Sequence, residues 1–264
     1  MAKTPCLGTV RLCKSPVMDQ VLTVIGDPAS RALSQDRAEA VPAIPDYLRE
    51  TYAWAYLSPR SVRFLDRPLV VSSILWGNYR RLLAALLAEL EPGQRVLQPA
   101  CVYGDFSTSL ARFLGPRGGL EVIDIAPIQV QHCRRKLADF PQARVRLGDA
   151  AALQAGTYDA ISCFFLLHEL PDHTKRLAVD ALLAAVKPGG KAVFVDYHRP
   201  HPLHPLKPVT GLVFSLLEPF AGSLWRHEIE GFAGATEAFA WSKETYFGGL
   251  YQKVVARRAE GAPD

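Results

Sequence analysis

The sequence predicts an α/β fold built on a doubly wound, mostly parallel sheet. Three observations carry that prediction. Short apolar runs alternate with helical patterns from Arg95 onward. Those runs read as buried on both faces rather than alternating, which is the mark of parallel strands covered by helices. The turns between them carry Gly, Pro or Asp where a strand must give way to a helix.

The elements follow in order. RVLQ reads as the first strand and DFSTSLARFL as its helix; LEVIDI and PIQVQHCRRKLADF form the second pair. ARVRLGD and DAISCFFLL are two further strands, PDHTKRLAVDALLAAV a long helix, and KAVFVDY a fifth strand after a turn at Lys187 to Gly190. One or two strands between Thr245 and Val255 then give the sheet an antiparallel edge. The Pro200 to Ile229 stretch interrupts this alternation and is itself broken at Glu218-Pro219. Upstream, residues 1–45 read as a loosely attached arm and 46–92 as a helical extension or lid. The main domain spans 93–264, with a substrate-lid insertion at 200–229.

Bulk properties narrow the function classes. The 264 residues suffice for one sizeable core with an extension, and 49% apolar with 21% charged residues is ordinary for a globular protein. The net charge of +4 is scattered, with Arg134-Arg135-Lys136 the longest basic cluster, so nucleic acid is a poor partner. Five cysteines form no CxxC pair, which points to a reduced cytoplasmic setting without structural zinc. No signal-peptide pattern and no spanning apolar run is present.

The chemistry concentrates at the strand ends. Asp124, with Ile125 beside it, closes the second strand roughly 20 residues after the first turn, where a carboxylate accepts the hydroxyls of a ribose; capping the helix at Pro127 is the alternative. Asp149-Ala150 offers a second acid and an adjacent backbone amide, suited to an adenine edge or to a helix cap. His168 and Glu169 close the fourth strand, and a histidine there titrates near neutrality as acid or base. The first turn, RVLQPACVYGD, is unusual. An S-adenosylmethionine site ordinarily carries an acid and three spaced glycines, where this chain has Gln98, Ala100, Val102 and Gly104. Val102 disfavours the left-handed backbone a glycine takes, so the loop must follow another path. Tyr103 is then a candidate to orient substrate or to act as an acid. Asp105 caps the next helix or contacts the cofactor, and Tyr79 in WGNYRRLL is placed to fold over the same edge.

RVLQPACVYGD, EVIDIAP, RLGDAAAL, YDAISCFFLLHELPD and LKPGGKAVFVDYH together resemble the class I S-adenosylmethionine-dependent methyltransferases, with a seven-stranded Rossmann-like sheet. WGNYRRLL, FFLLHELPD and VDYHRPHPLHPLKP are similar to a narrower group, the rhodoquinone biosynthesis proteins. That resemblance implies conversion of ubiquinone to rhodoquinone, a ring methoxy group being replaced by an amino group supplied by S-adenosylmethionine as co-substrate, with Mn²⁺ stimulating the reaction. Gln98 suggests why such a change is possible: without a carboxylate, the cofactor amine is freer to lose its proton and become a nucleophile. Candidate acid–base residues are Tyr103, His168, Tyr197 and His198. Candidate metal ligands are Asp196, His198 and His201, although histidines three apart on a polyproline II segment stand roughly 9 Å apart, too far to share one ion.

The insertion LVFSLLEPFAGSLW, flanked by Lys207 and Arg226, reads either as an interfacial segment or as an internal lid. A protein peripheral to the inner face of the plasma membrane, meeting a lipid quinone there, is the corresponding expectation. A conventional methyltransferase on a quinone precursor or small aromatic, and a non-catalytic cofactor-binding accessory protein, are the competing readings.

Overall fold

The computed structural model describes residues 43–261. The expected arm lies outside the described residues apart from 43–45. So do the apolar patch Val21 to Ile25 and the cysteines Cys6 and Cys13.

Seven strands form one sheet: β1 Arg95–Gln98, β2 Gly119–Asp124, β3 Ala143–Leu147, β4 Tyr158–Phe164, β5 Val186–Tyr197, β6 Phe239–Tyr246 and β7 Tyr251–Arg258. Their order is β3-β2-β1-β4-β5-β7-β6. The first five strands run parallel, while β7 pairs antiparallel with both β5 and β6. This is the class I methyltransferase topology. The strand order reverses between β1 and β4, and in such sheets the ligand crevice opens beyond the carboxyl ends of the strands at that point.

The expected turn at Lys187 to Gly190 is not a break. It bulges out of β5, whose pairing jumps from Tyr158↔Val186 to Ala160↔Lys191. Gly189 supplies the positive φ of +77° that the bulge needs. The Pro-rich histidine segment forms successive turns rather than a polyproline helix: the His204 N–H bonds to the His201 carbonyl at 2.9 Å.

Helices cover the sheet because their apolar residues recur every three or four positions. In α4, Tyr79–Leu87, the buried residues are Tyr79, Leu82, Leu83 and Leu86; in α5, Phe106–Leu114, they include Phe106, Leu110 and Leu114. Each such leucine contributes on the order of 1.5–3 kcal/mol by leaving water. Helices α6 Pro127–Lys136 and α7 Asp172–Ala184 complete the crossovers.

Upstream lie α1 Asp46–Glu50, a π-helical turn Ala53–Leu57, α2 Pro59–Leu65 and α3 Pro68–Ile74. Prolines open α2 and α3, where their missing N–H costs nothing. The insertion after β5 forms α8, Lys207–Leu216, and two short 3₁₀ turns, Ala221–Trp225 and Ile229–Phe232. Its helix ends where Glu218-Pro219 breaks the pattern.

Candidate functional site

A cavity lies beyond the ends of β1, β2 and β4. Its wall includes Pro99, Ala100, Asp124, Ile125, Gly148, Asp149, Ala150 and Glu169, closed over by Tyr47, Leu48 and Tyr56 from the N-terminal helices. Five expected cofactor residues, Ala100, Ile125, Ala150 and the two strand-end acids, therefore share one wall. Gln98, Gly104, Asp105 and Tyr79 are not part of that wall.

Asp124 is the pivot of this wall. Its two oxygens accept the backbone N–H groups of Cys101 and Ala126, each at 2.8 Å. Burial pushes its carboxyl up to about 6, against the lowering effect of those N–H donors. The Ile125 N–H and the Cys101 thiol add to this set, so the carboxylate is held in place at the cavity wall. Asp149 accepts the Ala151 N–H at 2.9 Å.

The altered first loop is organised around Gln98, which is fully buried. Its Nε2 donates to the Ala100 carbonyl at 2.6 Å, and its Oε1 is buried with no partner. The Ala100 carbonyl fixes the orientation of the amide, since the reverse would set oxygen against oxygen. Positive φ falls on Gly104, at +79°, and Val102 avoids it. A Cβ on Gly104 would meet Val71 Cγ2 at 3.4 Å and the Tyr79 hydroxyl at 3.5 Å.

Asp105 occupies the cap position of α5 without a side-chain cap bond. Its carboxylate instead accepts the Tyr79 hydroxyl at 2.8 Å and pairs with Arg80 at 2.9 Å. Tyr103 donates to the Ala55 carbonyl and accepts from Gln129, both at 2.8 Å, and stacks on Tyr56 with ring centroids 5.6 Å apart. In this arrangement it anchors the N-terminal segment. Asp66, which follows α2, anchors it again: it accepts the Gly104 N–H at 3.0 Å and pairs with His132 at 2.8 Å and Lys136 at 2.6 Å.

His168 and Glu169 sit in a 3₁₀ turn, Leu167–Glu169, rather than in β4 itself. The imidazole Nδ1 donates to Asp196 at 3.0 Å, and Nε2 lies 3.8 Å from Glu169 and 4.0 Å from Glu218. Burial pushes the imidazole down, but Asp196 outweighs it and raises the group to about 9. Tyr52 donates to Glu218 at 2.8 Å, and Tyr56 donates to Glu169. The Tyr197 ring stands edge-on to His168, with centroids 5.1 Å apart.

Asp196, His198 and His201 are not brought together, which corrects the expected metal set. Asp196 spends its carboxylate on His168 and on the backbone N–H groups of Leu167 and Tyr197. His198 Nδ1 donates to the Gly249 carbonyl at 3.0 Å, and its Nε2 lies 3.6 Å from Glu228. His201 Nδ1 accepts the Leu203 N–H at 3.2 Å. Among the described residues, no group of three or more His, Cys, Asp or Glu side chains is arranged to hold a metal ion.

Sequence reasoning left out Asp66 and Gln129, and noted Lys136 only within a basic cluster and Glu218 only as a helix break. His132 and Lys136 at i and i+4 on α6 were a faint signal of a shared anionic partner.

Known proteins resemble this chain in fold and in part of its sequence. Residues 96–190 match the family described as a methyltransferase domain. An O-methyltransferase family protein from Burkholderia thailandensis shares the fold with a TM-score of 0.61 at 16% identity, covering 89% of this chain and 71% of that one. A SAM-dependent methyltransferase from Aquifex aeolicus does so with a TM-score of 0.51 at 17% identity, covering 76% of this chain and 99% of the other. The chain thus has the class I methyltransferase fold, and its residues 96–190 resemble a methyltransferase domain. Among curated relatives, a demethylmenaquinone methyltransferase from Staphylococcus aureus is 26% identical over 157 residues, or 59% of this chain. The match spans 61% of that relative's length.

Proposed function

We propose that the chain is an S-adenosylmethionine-dependent transferase acting on a lipid quinone, and that it converts ubiquinone to the aminoquinone rhodoquinone by exchanging a ring methoxy group for an amino group. The observation that carries this reading is the buried, unpartnered Oε1 of Gln98 at the end of β1. It is an acceptor without charge, at the position where an acid would hold an ammonium group. A neutral acceptor binds an amine without stabilising its proton as a carboxylate does.

The residues of the wall fit the cofactor. Asp124 would take the ribose hydroxyls and Asp149 with Ala150 the adenine edge; Gln98 lies buried behind the lining residues Pro99 and Ala100 and would meet the amine end once the first loop moves aside. When bound, S-adenosylmethionine supplies an activated methyl group and an α-amino nitrogen. The cavity encloses about 60 Å³ with Tyr47, Leu48 and Tyr56 in place. Small-molecule sites usually span about 300–1,000 Å³, so the cavity must widen to admit the ligand.

The likeness to a demethylmenaquinone methyltransferase supports a quinone as acceptor. It equally favours a second reading, methyl transfer to a quinone precursor. The two separate when the protein is incubated with ubiquinone and, in parallel, with a quinone precursor lacking one ring methyl group, each with S-adenosylmethionine carrying ¹⁵N in its amino group, and the lipid extracts are examined by mass. Label in an aminoquinone supports amination; an added methyl group without label supports the second reading and refutes the first.

The proposal includes contact with an anionic membrane surface, where the quinone would be met. Among the described residues, the exposed large hydrophobics, apart from Leu177, all fall in residues 54–76 and 203–217. On α2 and α3, Phe64, Leu69 and Ile74 alternate with exposed Arg60, Arg63 and Arg67; on α8, Val209, Leu212 and Leu216 follow Lys207. Apolar side chains mixed with cations suit an interfacial site. No helix among the described residues is long and apolar enough to cross a membrane. Co-sedimentation with anionic liposomes at low salt is expected, and a failure to bind refutes this contact.

A further inference from the structure

His168 drew attention as an acid–base residue, but it does not line the cavity. One nitrogen is held by Asp196, and the other faces Glu169 and Glu218. Glu169, in contrast, lines the cavity together with Ala100, Asp124 and Asp149. Three separate parts of the chain converge on it. The turn after β4 carries it, Tyr56 of the π-helical turn donates to it, and the loop after α8 places Glu218 beside the same imidazole nitrogen.

We propose that Glu169 is the acid–base residue of the cavity, exchanging a proton directly with the bound substrate, and that His168, Asp196 and Glu218 are positioning residues that set its charge. This rests on the transferase reading above and assigns a role which that reading leaves open.

The electrostatics follow from the packing. Burial pushes the Glu169 carboxyl up to about 8; the charge on His168 opposes this, and Glu218 adds to it. Burial also raises Glu218, again opposed by His168. Two carboxyl groups facing one imidazole nitrogen do not readily ionise together, so the charge of either one holds back ionisation of the other. The groups facing Glu169 are His168 on its own turn, Tyr47, Tyr52 and Tyr56 from the N-terminal helices, Tyr103 from the β1 loop, Asp196 and Tyr197 from β5, and Glu218. His168 is the cation among them.

The step balances simply. Ionised Glu169 takes the proton from an N–H or O–H of the bound nucleophile; that bond breaks, a carboxyl O–H forms, and the electron pair stays on the nucleophile. In the reverse sense the neutral acid protonates a departing alkoxide, which leaves as the alcohol. Glu218 or water then resets the proton.

The test uses the full chain with ¹³C-labelled glutamate carboxyls, followed by NMR across pH, alongside turnover of ubiquinone and binding of S-adenosylhomocysteine. One carboxyl is expected to titrate near pH 8, to vanish in Glu169→Gln, to move higher in His168→Gln as the opposing charge is lost, and to shift when S-adenosylhomocysteine binds. Turnover in Glu169→Gln should fall by about 10²–10⁴-fold, with Glu169→Asp recovering part of it. A Glu169 carboxyl that titrates in the ordinary range and ignores His168→Gln overturns the proposal, as does a Glu169→Gln variant with unchanged turnover and pH profile. The expected titration without any quinone turnover supports the acid–base assignment and refutes the quinone reading instead.

Discussion

Replacing Asp196 with Asn separates the electrostatics of the buried site from its packing. Asp196 is 1% exposed and accepts from His168 Nδ1 at 3.0 Å, the Leu167 N–H at 2.8 Å and the Tyr197 N–H at 2.7 Å. An amide of the same shape keeps one oxygen and turns an NH₂ group toward donors. Breaking a buried charge pair this way costs about 3–5 kcal/mol. Part of that loss depends on pH. The His168 imidazole is raised from 6.5 to about 9, and at about 1.4 kcal/mol for each tenfold change in proton affinity, its pairing contributes about 3 kcal/mol. Because the folded value lies above the unfolded one, that contribution is complete below pH 6.5 and disappears as pH rises through about 9. In the variant, burial lowers the imidazole and only Glu169 and Glu218, 3.8 and 4.0 Å from its Nε2, oppose that effect. Urea unfolding of both proteins at pH 6, 8 and 10 measures the gap. It should be widest at pH 6 and narrower by about 3 kcal/mol at pH 10. An equal gap at all three values would refute the assignment of His168 as a buried cation held by Asp196.

Two further substitutions probe the cofactor wall. Asp124→Asn should abolish S-adenosylhomocysteine binding in calorimetry. It should also flatten the stability of the ligand-free protein between pH 4 and 7, because a carboxyl raised from 3.8 to about 6 contributes stability at low pH that is lost as pH rises through about 6. Gly104→Ala places a side chain at φ +79° against Val71 and the Tyr79 hydroxyl; it should cost roughly 1–2 kcal/mol of stability by urea titration and weaken binding by displacing the loop.

Much of this architecture was legible because apolar strands buried on both faces leave a plain signature. DAISCFF and KAVFVDY stand out as unbroken runs, and the strand-end acids Asp124 and Asp149 are placed by the strand boundaries themselves. The N-terminal closure was less legible. Tyr52 with Glu218, Tyr103 with Ala55 and Asp66 with Gly104 join residues far apart in sequence, and no local periodicity encodes such pairs. The Asp196 to His201 cluster misled for the opposite reason. Its donors are adjacent in sequence, yet backbone N–H groups, Gly249 and Glu228 draw them to different partners. Likewise, helix position alone suggested a capping Asp105, whereas Tyr79 and Arg80 take its carboxylate.

The central claim is that the cofactor's amine end meets a neutral acceptor at Gln98. It is tested most directly by titrating S-adenosylhomocysteine into the native protein and Gln98→Asp across the pH range in which the ligand's amino group loses its proton. The native protein should bind with nearly constant affinity through that range, while Gln98→Asp should bind more tightly at low pH and weaken as the amine becomes neutral. A native protein whose affinity falls as steeply as that of Gln98→Asp would contradict the claim.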